Sequence, residues 1–184
     1  YERQLLAYTQ LRDKTTLRTH ELITPLRISP KQERELLSRL ARAGMIARVS
    51  RGLYLVPPRL PLGGKWSPNE NLALDTLIKD QRGRYQICGP NAFNRYGFDE
   101  QIPNRTYVYN NRISGERSIG PIQLSLIKVA DDRLGGTEEV TTGDEITVAY
   151  SSRVRTLVDA VYDWSRFQSV PQAYEWIRRE LAEK

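Results

Sequence analysis

Two neighbouring groups of residues carry recognisable chemistry. The stretch RVSRGLYLVPP, residues 48–58, gathers Arg48, Ser50 and Arg51 around a bend at Gly52 and stops at two prolines. A guanidinium is a planar fork of donors that fits phosphate oxygens and the O6/N7 edge of guanine. Just upstream, Lys31, Glu35, Ser38, Arg39 and Arg42 fall on one side of a run whose other side holds Leu36, Leu37, Leu40 and Ala41. At about 100° per residue that spacing gives a helix with an aliphatic face to bury and a Lys/Ser/Arg face to present. Ser and Arg can read base edges, and Lys and Arg can hold phosphates. These eight residues together have the chemistry of a face for double-stranded DNA, working without a cofactor. A merely solvated helix is the plain alternative, and the cationic ribbon following the helix at once argues against it.

Elsewhere the chemistry of catalysis is thin. No GxxxxGK[ST], GxGxxG or GxSxG pattern occurs. His20 is the single histidine and Cys88 the single cysteine, so neither a Cys/His zinc site nor a disulfide framework can be assembled. His20 is expected on the surface or facing DNA, within a short helix, and Cys88 as a small buried apolar residue at a strand end. Asp131-Asp132 and Glu138-Glu139 flank Gly135-Gly136-Thr137, but a nucleotidyltransferase site needs two metal-binding carboxylates one residue apart on an adjacent strand. Asp144 and Glu145 are adjacent, so on a strand they would point to opposite faces. An E-x-K nuclease pattern fails at Lys128, where Leu126 stands in place of the acid. The acidic segment therefore reads as a solvated loop, with no catalytic residue and no metal ligand assigned. The rival reading is a nuclease or nucleotidyltransferase delivered to nucleic acid and dependent on Asp131, Asp132, Asp144 or Glu145.

The elements that must position the cationic residues are well punctuated. Residues 3–12 have Leu5, Leu6, Tyr8 and Leu11 at helical spacing, and Thr16 to Leu26 reads as a second short helix with Thr19 as N-cap. A third helix starts at Ser29 as N-cap, with Pro30 at its first position and Gln32 completing a capping box, and stops at Gly44. Met45–Val49 and Leu53–Val56 then pair as a ribbon. Helix, short helix, turn, capped helix and ribbon is the order of a winged helix-turn-helix. Its expected span is residues 1–58, followed by a Pro/Gly-rich linker at 59–68 and a second domain at 69–184. The second domain reads as a small sheet flanked by helices: a helix at 69–80, strands at 84–88, 105–110, 122–129 and 146–149, and a short helix at 89–98. Two closing helices carry apolar stripes, Val154, Leu157, Val158 and Val161 on one, and Val170, Ala173, Tyr174, Ile177 and Leu181 on the other. Gly89, Asn91, Asn94, Tyr96, Pro103 and Asn104 invite a reading as a polar pocket or partner surface. Gly89, Gly97 and Pro103-Asn104 are instead expected as turn chemistry and the tyrosines as packed with a hydroxyl at the surface, while Arg155-Thr156 stays unassigned. The fold class is α+β.

Charge distribution agrees with this division. Residues 1–65 carry thirteen Lys/Arg against five Asp/Glu, a balance of +8, and residues 66–184 carry fifteen against seventeen, a balance of −2. A basic first third attached to a slightly acidic remainder points to a polyanion as partner of the first third. No stretch of about eighteen apolar residues exists, so no transmembrane helix is expected. YERQLLAYTQLRDK has no apolar stretch of the signal-peptide type, and a cytoplasmic location is expected. The chain opens at Tyr1 without an initiator Met, so trimmed ends are expected.

The layout resembles the AbiEi-type antitoxins, the antitoxin and transcriptional-regulator half of type IV abortive-infection toxin–antitoxin systems. The resemblance covers most of the chain and rests on LLSRLARAGMIARVSRGLYLVPP, on YQICGPNAFNRYGFDEQIPNRTYVYNN at residues 85–111, and on VAYSSRVRTLVDAV at residues 148–161. The middle segment is similar to the family's strand, Gly-led helix, Gly and Q-x-P-N lead into a strand; the last is similar to its strand-to-helix R-T-L-x-D segment. The resemblance implies a repressor whose N-terminal winged helix binds operator repeats of its own operon. It also implies a C-terminal domain that counters a nucleotidyltransferase-like toxin and supports cooperative binding, or a dimer, on DNA. The family's DNA face then corresponds to the outward residues of the third helix and the ribbon named above. No residue for neutralising the toxin is carried over.

Overall fold

The computed structural model describes residues 1–59, 63–143 and 145–184. Among them the chain is a mixed α+β protein with eight α-helices and two β-sheets. It forms two compact units, Tyr1–Leu77 with Ser118–Ile122, and Ile78–Arg117 with Gln123–Lys184. The Pro/Gly-rich stretch 59–68 lies within the sequence span of the first unit, and its residues 60–62 fall outside the described residues.

The first unit runs α1 (Glu2–Leu11), β1 (Thr16–Arg18), α2 (Ile23–Leu26), α3 (Pro30–Arg42), β2 (Ala47–Ser50) and β3 (Leu53–Leu55). Its three strands form an antiparallel sheet in the order β1-β3-β2. One apolar cluster unites the layers, with Leu5 and Leu6 of α1, Leu17 of β1, Leu22, and Leu36, Leu37 and Leu40 of α3 all buried. Burying a leucine side chain stabilises by about 1.5–3 kcal/mol, so this shared core is what lets strands of three and four residues persist. Leu11 is 86% exposed, so the apolar row of α1 ends a turn earlier than its spacing predicts.

The expected helix over 16–26 does not form. Thr16–Arg18 is a strand paired to β3 in the register Thr16↔Leu55, Leu17↔Tyr54, Arg18↔Leu53. Threonines at 15, 16 and 19 favour the extended backbone. His20 adopts a φ of 78°, which no helix tolerates, so it sits in a turn and not within a helix. Thr19 is accordingly no N-cap, and its N–H donates to Gly52 O at 3.0 Å. Only Ile23–Leu26 is helical, closed by Arg27 in the left-handed conformation.

The third helix forms as its punctuation predicts. Ser29 Oγ accepts the Gln32 N–H at 3.1 Å while Gln32 Oε1 accepts the Ser29 N–H at 2.8 Å. At the other end Met45 N–H donates to Leu40 O at 3.0 Å and Gly44 N–H to Ala41 O at 3.1 Å. With Gly44 at φ 74° these bonds make a Schellman stop. Ala41 is only half-buried, and Glu33 takes a fully buried place that its charge does not foretell. The ribbon strands are shifted from the expected Met45–Val49 and Leu53–Val56 to Ala47–Ser50 and Leu53–Leu55. Val56 instead donates its N–H to Thr15 O at 3.0 Å.

Downstream come α4 (Glu70–Asp80), β4 (Tyr85–Ile87), α5 (Pro90–Arg95), β5 (Thr106–Asn110), β6 (Gly115–Ile119), β7 (Ile122–Lys128), a 3-10 turn (Asp131–Arg133), β8 (Thr137–Thr141) and β9 (Thr147–Ser151). Three helices close the chain, α6 (Arg153–Tyr162), α7 (Trp164–Phe167) and α8 (Gln172–Ala182). The six-stranded sheet has the order β6-β7-β5-β4-β9-β8. Strands β4 and β9 are parallel, as are β5 and β7, whereas β4 and β5, and β8 and β9, are antiparallel. Phe93 of α5 packs on Trp176 of α8, ring centroids 4.9 Å apart, with Ala160 and Ala173 buried beside them.

Two sequence expectations are corrected here. The acidic segment is not all loop: Thr137–Thr141 is an edge strand paired to β9, with Glu139↔Ala149 and Val140↔Val148. Its side chains are exposed apart from the half-buried Val140, so no apolar alternation marks it, and charge on an edge strand guards against stray pairing. The apolar stripes of the closing helices are also only in part the faces that these helices bury. The side chains buried on α6 are Thr156, Asp159 and Ala160, and on α8 Ala173 and Trp176. Val154, Val158, Tyr174 and Leu181 are left more than half exposed.

Candidate nucleic-acid interface

The cationic residues are positioned by α3 and by the two-residue turn between β2 and β3. Lys31, Glu35, Ser38, Arg39 and Arg42 are all exposed on α3, opposite the buried Leu36, Leu37 and Leu40. Lys31 Nζ stands 4.0 Å from Glu35 Oε1, a loose i,i+4 pair with the lysine on the less favourable N-terminal side. Arg39 is at one edge of the face, where its Nε donates to Glu2 Oε1 of α1 at 3.0 Å. Both partners of that ion pair are about half exposed, and exposed pairs contribute only about 0–1 kcal/mol, so a phosphate can take the guanidinium over. Arg42 carries no ion pair among the described residues. Neither does Arg34, which lies on the opposite edge of the face. Arg34 is absent from the sequence expectation although its signal was available, since it precedes Ser38 by four residues.

On the ribbon, Ser50 pairs with Leu53 and leaves Arg51 and Gly52 as the turn. Gly52 has a φ of 76°, the second position of a tight turn where glycine is favoured. A Cβ there would also come 3.0 Å from Thr19 Oγ1. Arg51 is exposed at the tip and carries no ion pair among the described residues. Arg48 is exposed on β2, and its Nε donates to Ser50 O at 3.4 Å across the register shift between those two residues. Ser50 is half-buried. Thus seven of the eight expected residues are exposed within one unit, and Ser50 is partly shielded.

What fixes α3 against the preceding turn was not legible as function. Glu33, fully buried, accepts the His20 N–H at 2.6 Å and the Leu22 N–H at 2.9 Å. It supplies acceptors for the two donors that the broken helix over 16–26 would otherwise leave unsatisfied.

Three of the four carboxylates of the rival enzymatic reading lie among the described residues. Asp131 and Asp132 are exposed in the 3-10 turn, where Asn111 Nδ2 donates to Asp131 Oδ1 at 2.7 Å. Glu145 is exposed, and Asp144 lies outside the described residues. Among the described residues no three His, Cys, Asp or Glu side chains are grouped to hold a metal ion. Arg155 is committed internally: its Nε donates to Asp159 Oδ1 at 2.8 Å, and its terminal nitrogens donate to Gly135 O and Arg133 O. Asn91 Oδ1 accepts the Tyr107 N–H at 2.7 Å while its Nδ2 donates to Arg105 O, and Asn94 Nδ2 donates to Asp99 O. A Cβ at Gly89, φ 58°, would meet the Phe167 ring at 2.6 Å. Cys88 is buried, and that burial, with the Asp159 carboxylate nearby, pushes its thiol well above the ordinary range. A cysteine buried in apolar surroundings is the ordinary structural kind.

No helix among the described residues is long and apolar enough to cross a membrane. No protein-family model and no curated protein sequence matches the chain. Among solved structures, the crystal structure of the RV2827C protein from Mycobacterium tuberculosis is similar at 12% identity and a TM-score of 0.44. The similarity covers 71% of this chain and 46% of that one, so the chain spans less than half the length of that protein.

Proposed function

We propose that the first unit is a winged helix-turn-helix, and that the chain is a sequence-specific DNA-binding repressor. The observation that carries this is the pairing of one exposed Lys/Ser/Arg helix face with an arginine-tipped two-residue turn in a single small unit. The element order helix, strand, helix, helix, strand, strand with sheet order β1-β3-β2 supports the same reading. In it α3 enters the major groove, Ser38 and Arg42 reach base edges, Lys31, Arg34 and Arg39 hold phosphates, and Arg51 meets the backbone or the minor groove. Glu35 accepts from a cytosine amino group or turns away from phosphate, which makes it a determinant of specificity and not of affinity. The resemblance to AbiEi-type antitoxins extends the proposal: the target is operator repeats of its own operon, and the second unit counters a nucleotidyltransferase-like toxin.

Fluorescence anisotropy of the full chain on DNA from upstream of its own gene, against scrambled DNA of equal length at two salt concentrations, tests this. A repressor binds its own sequence far more tightly, and the advantage survives the higher salt. Weak binding to both DNAs that fades together with salt rejects sequence reading and leaves only an electrostatic surface.

A further inference from the structure

The second unit holds a cavity of about 520 Å³, within the range of about 300–1,000 Å³ usual for small-molecule sites. Four aromatic rings line it, Phe93, Tyr107, Phe167 and Trp176. Phe93 and Trp176 are buried, and the Phe167 ring stands near-perpendicular to those of Phe93 and Tyr107, centroids 5.9 Å away in each case. The polar lining is mostly of one kind. The side-chain amides of Gln101, Asn104, Gln168 and Gln172 make no hydrogen bond among the described residues. Each offers both a donor and an acceptor. Asp99 is the only charged residue of the lining among the described residues. Its Oδ1 accepts the Gln101 N–H at 2.9 Å, which leaves Oδ2 without a partner among them.

A second cavity, about 400 Å³, adjoins the first at Tyr107, which lines both. Its cations are Lys128 and Arg166, both exposed and without an ion pair among the described residues. Glu116 lines it too, but is neutralised by an ion pair with Arg105 and accepts from Ser125 Oγ. Arg166 directly precedes Phe167, so α7 supplies a lining residue to each cavity.

We propose that the joined cavities bind a free nucleotide whose base carries an exocyclic amino group. The base lies against the aromatic rings, its edge meets the amides and Asp99, and its phosphate reaches Lys128 and Arg166. Aromatic rings hold any base by its flat face. Amides answer the donors and acceptors on a base edge, as asparagine and glutamine do for adenine. An unpaired carboxylate oxygen accepts and cannot donate, so Asp99 selects an amino group over a carbonyl. Charge runs one way across the site, negative at Asp99 and positive at Lys128 and Arg166. That polarity matches a ligand with an amino group at one end and phosphate at the other. A neutral sugar would leave both cations unused. A single strand tracks along an extended cationic groove, whereas two cations suit one phosphate group.

Isothermal titration calorimetry of the full chain, without DNA, tests this with the 5′-monophosphates of adenosine, cytidine, guanosine and uridine. The outcome is independent of the repressor reading, because the site lies within the second unit. At least one of the three amino-bearing nucleotides should bind with a Kd below about 1 mM, and about tenfold more tightly than uridine 5′-monophosphate. Asp99→Asn keeps an acceptor for the Gln101 N–H and should abolish that preference. Arg166→Gln, at an exposed position, should weaken the nucleotide roughly fivefold and leave the matching nucleoside unchanged. Failure of all four nucleotides to bind below about 1 mM overturns the proposal. Equal binding of uridine 5′-monophosphate overturns it as well. So does binding that Asp99→Asn and Arg166→Gln both leave intact, since the nucleotide then sits elsewhere, as on the cationic face of the first unit.

Discussion

Glu33 of α3 accepts the backbone N–H of Leu22 at 2.9 Å, and its second oxygen accepts that of His20 at 2.6 Å. The carboxylate is fully buried, yet both of its oxygens are engaged. It ties the proposed recognition helix to the turn before it, where the backbone has no ladder of its own. Rigidity at the interface thus originates on the side of α3 that never meets solvent.

Glu33→Ala should therefore destabilise the first unit severely. The buried Leu22 N–H loses its acceptor at about 1–3 kcal/mol and the part-buried His20 N–H loses its own at the lower end of that range, so urea unfolding should report a loss of roughly 2–4 kcal/mol. Glu33→Gln keeps one good acceptor and should fall between the alanine variant and the parent. A loss under about 0.5 kcal/mol for Glu33→Ala, the level of an ordinary surface substitution, would show that the turn holds itself.

The two halves of this arrangement were unequally legible. The capping box at Ser29 and the glycine stop at Gly44 are local devices, written in the residues that make the bonds, and α3 follows them residue for residue. The strand at Thr16–Arg18 is a tertiary element: three residues that are extended only because β3 lies beside them. Leucine spacing across 16–26 mimics a helix and outweighs the threonines when the partner strand is unseen. Strand β8 was hidden for the opposite reason, since an edge strand with Glu138 and Glu139 exposed shows no apolar alternation. The outward face of the proposed DNA site was readable because exposure follows from helical period. Glu33 was not, because its burial depends on two N–H groups more than ten residues away in sequence. The apolar stripes of α6 and α8 were visible, but periodicity shows only that a stripe exists, not which neighbour covers it.

Gly44 and Gly52 of the first unit do different work, and substitution should separate them. At Gly44, φ 74°, the nearest atoms to an added Cβ are 3.6 Å away on Lys65, so Gly44→Ala meets only the left-handed backbone cost of about 1–2 kcal/mol. At Gly52, φ 76°, the added Cβ also presses on Thr19 Oγ1 at 3.0 Å. Gly52→Ala should cost more than Gly44→Ala in thermal unfolding. Thr19→Ala made alongside it should recover part of the difference. Equal losses at both sites would mean that Thr19 yields freely.

Within the proposed DNA face the arginines should not be equivalent. Arg42 and Arg51 are exposed without an internal partner among the described residues, whereas Arg39 must first leave Glu2. Arg51→Ala should weaken binding to all sequences alike and lower the salt slope by about one, the signature of a phosphate contact. Arg42→Ala should cost roughly 1–3 kcal/mol on the preferred site and relax discrimination there. Arg39→Ala should cost less than Arg42→Ala, and Glu2→Gln, which frees Arg39, should tighten binding. If Arg39→Ala and Arg51→Ala combined leave DNA affinity unchanged, this face does not bind DNA.

A pH prediction rests on Asp159, where two effects oppose each other. Burial raises the carboxyl's pKa and the Arg155 guanidinium, 2.8 Å from Oδ1, lowers it; burial is the larger, and the result is a value above the ordinary one. Oδ2 is buried with no hydrogen-bond partner among the described residues, which is the physical reason the charge is poorly supported. Between the ordinary carboxylate value of about 3.9 and the raised folded value, the folded chain therefore holds a proton that the unfolded chain has released. Stability contributed by this group is complete below the unfolded value and is lost as pH rises through the folded one. Asp159→Asn cannot titrate there, so it serves as the reference against which the parent is read. The stability of the parent minus that of Asp159→Asn, measured by urea unfolding in steps upward from about pH 4, should fall with rising pH and then level off. A difference that grows with pH instead would mean that Arg155 holds the carboxylate ionised below its ordinary range, and that the ion pair outweighs its own burial.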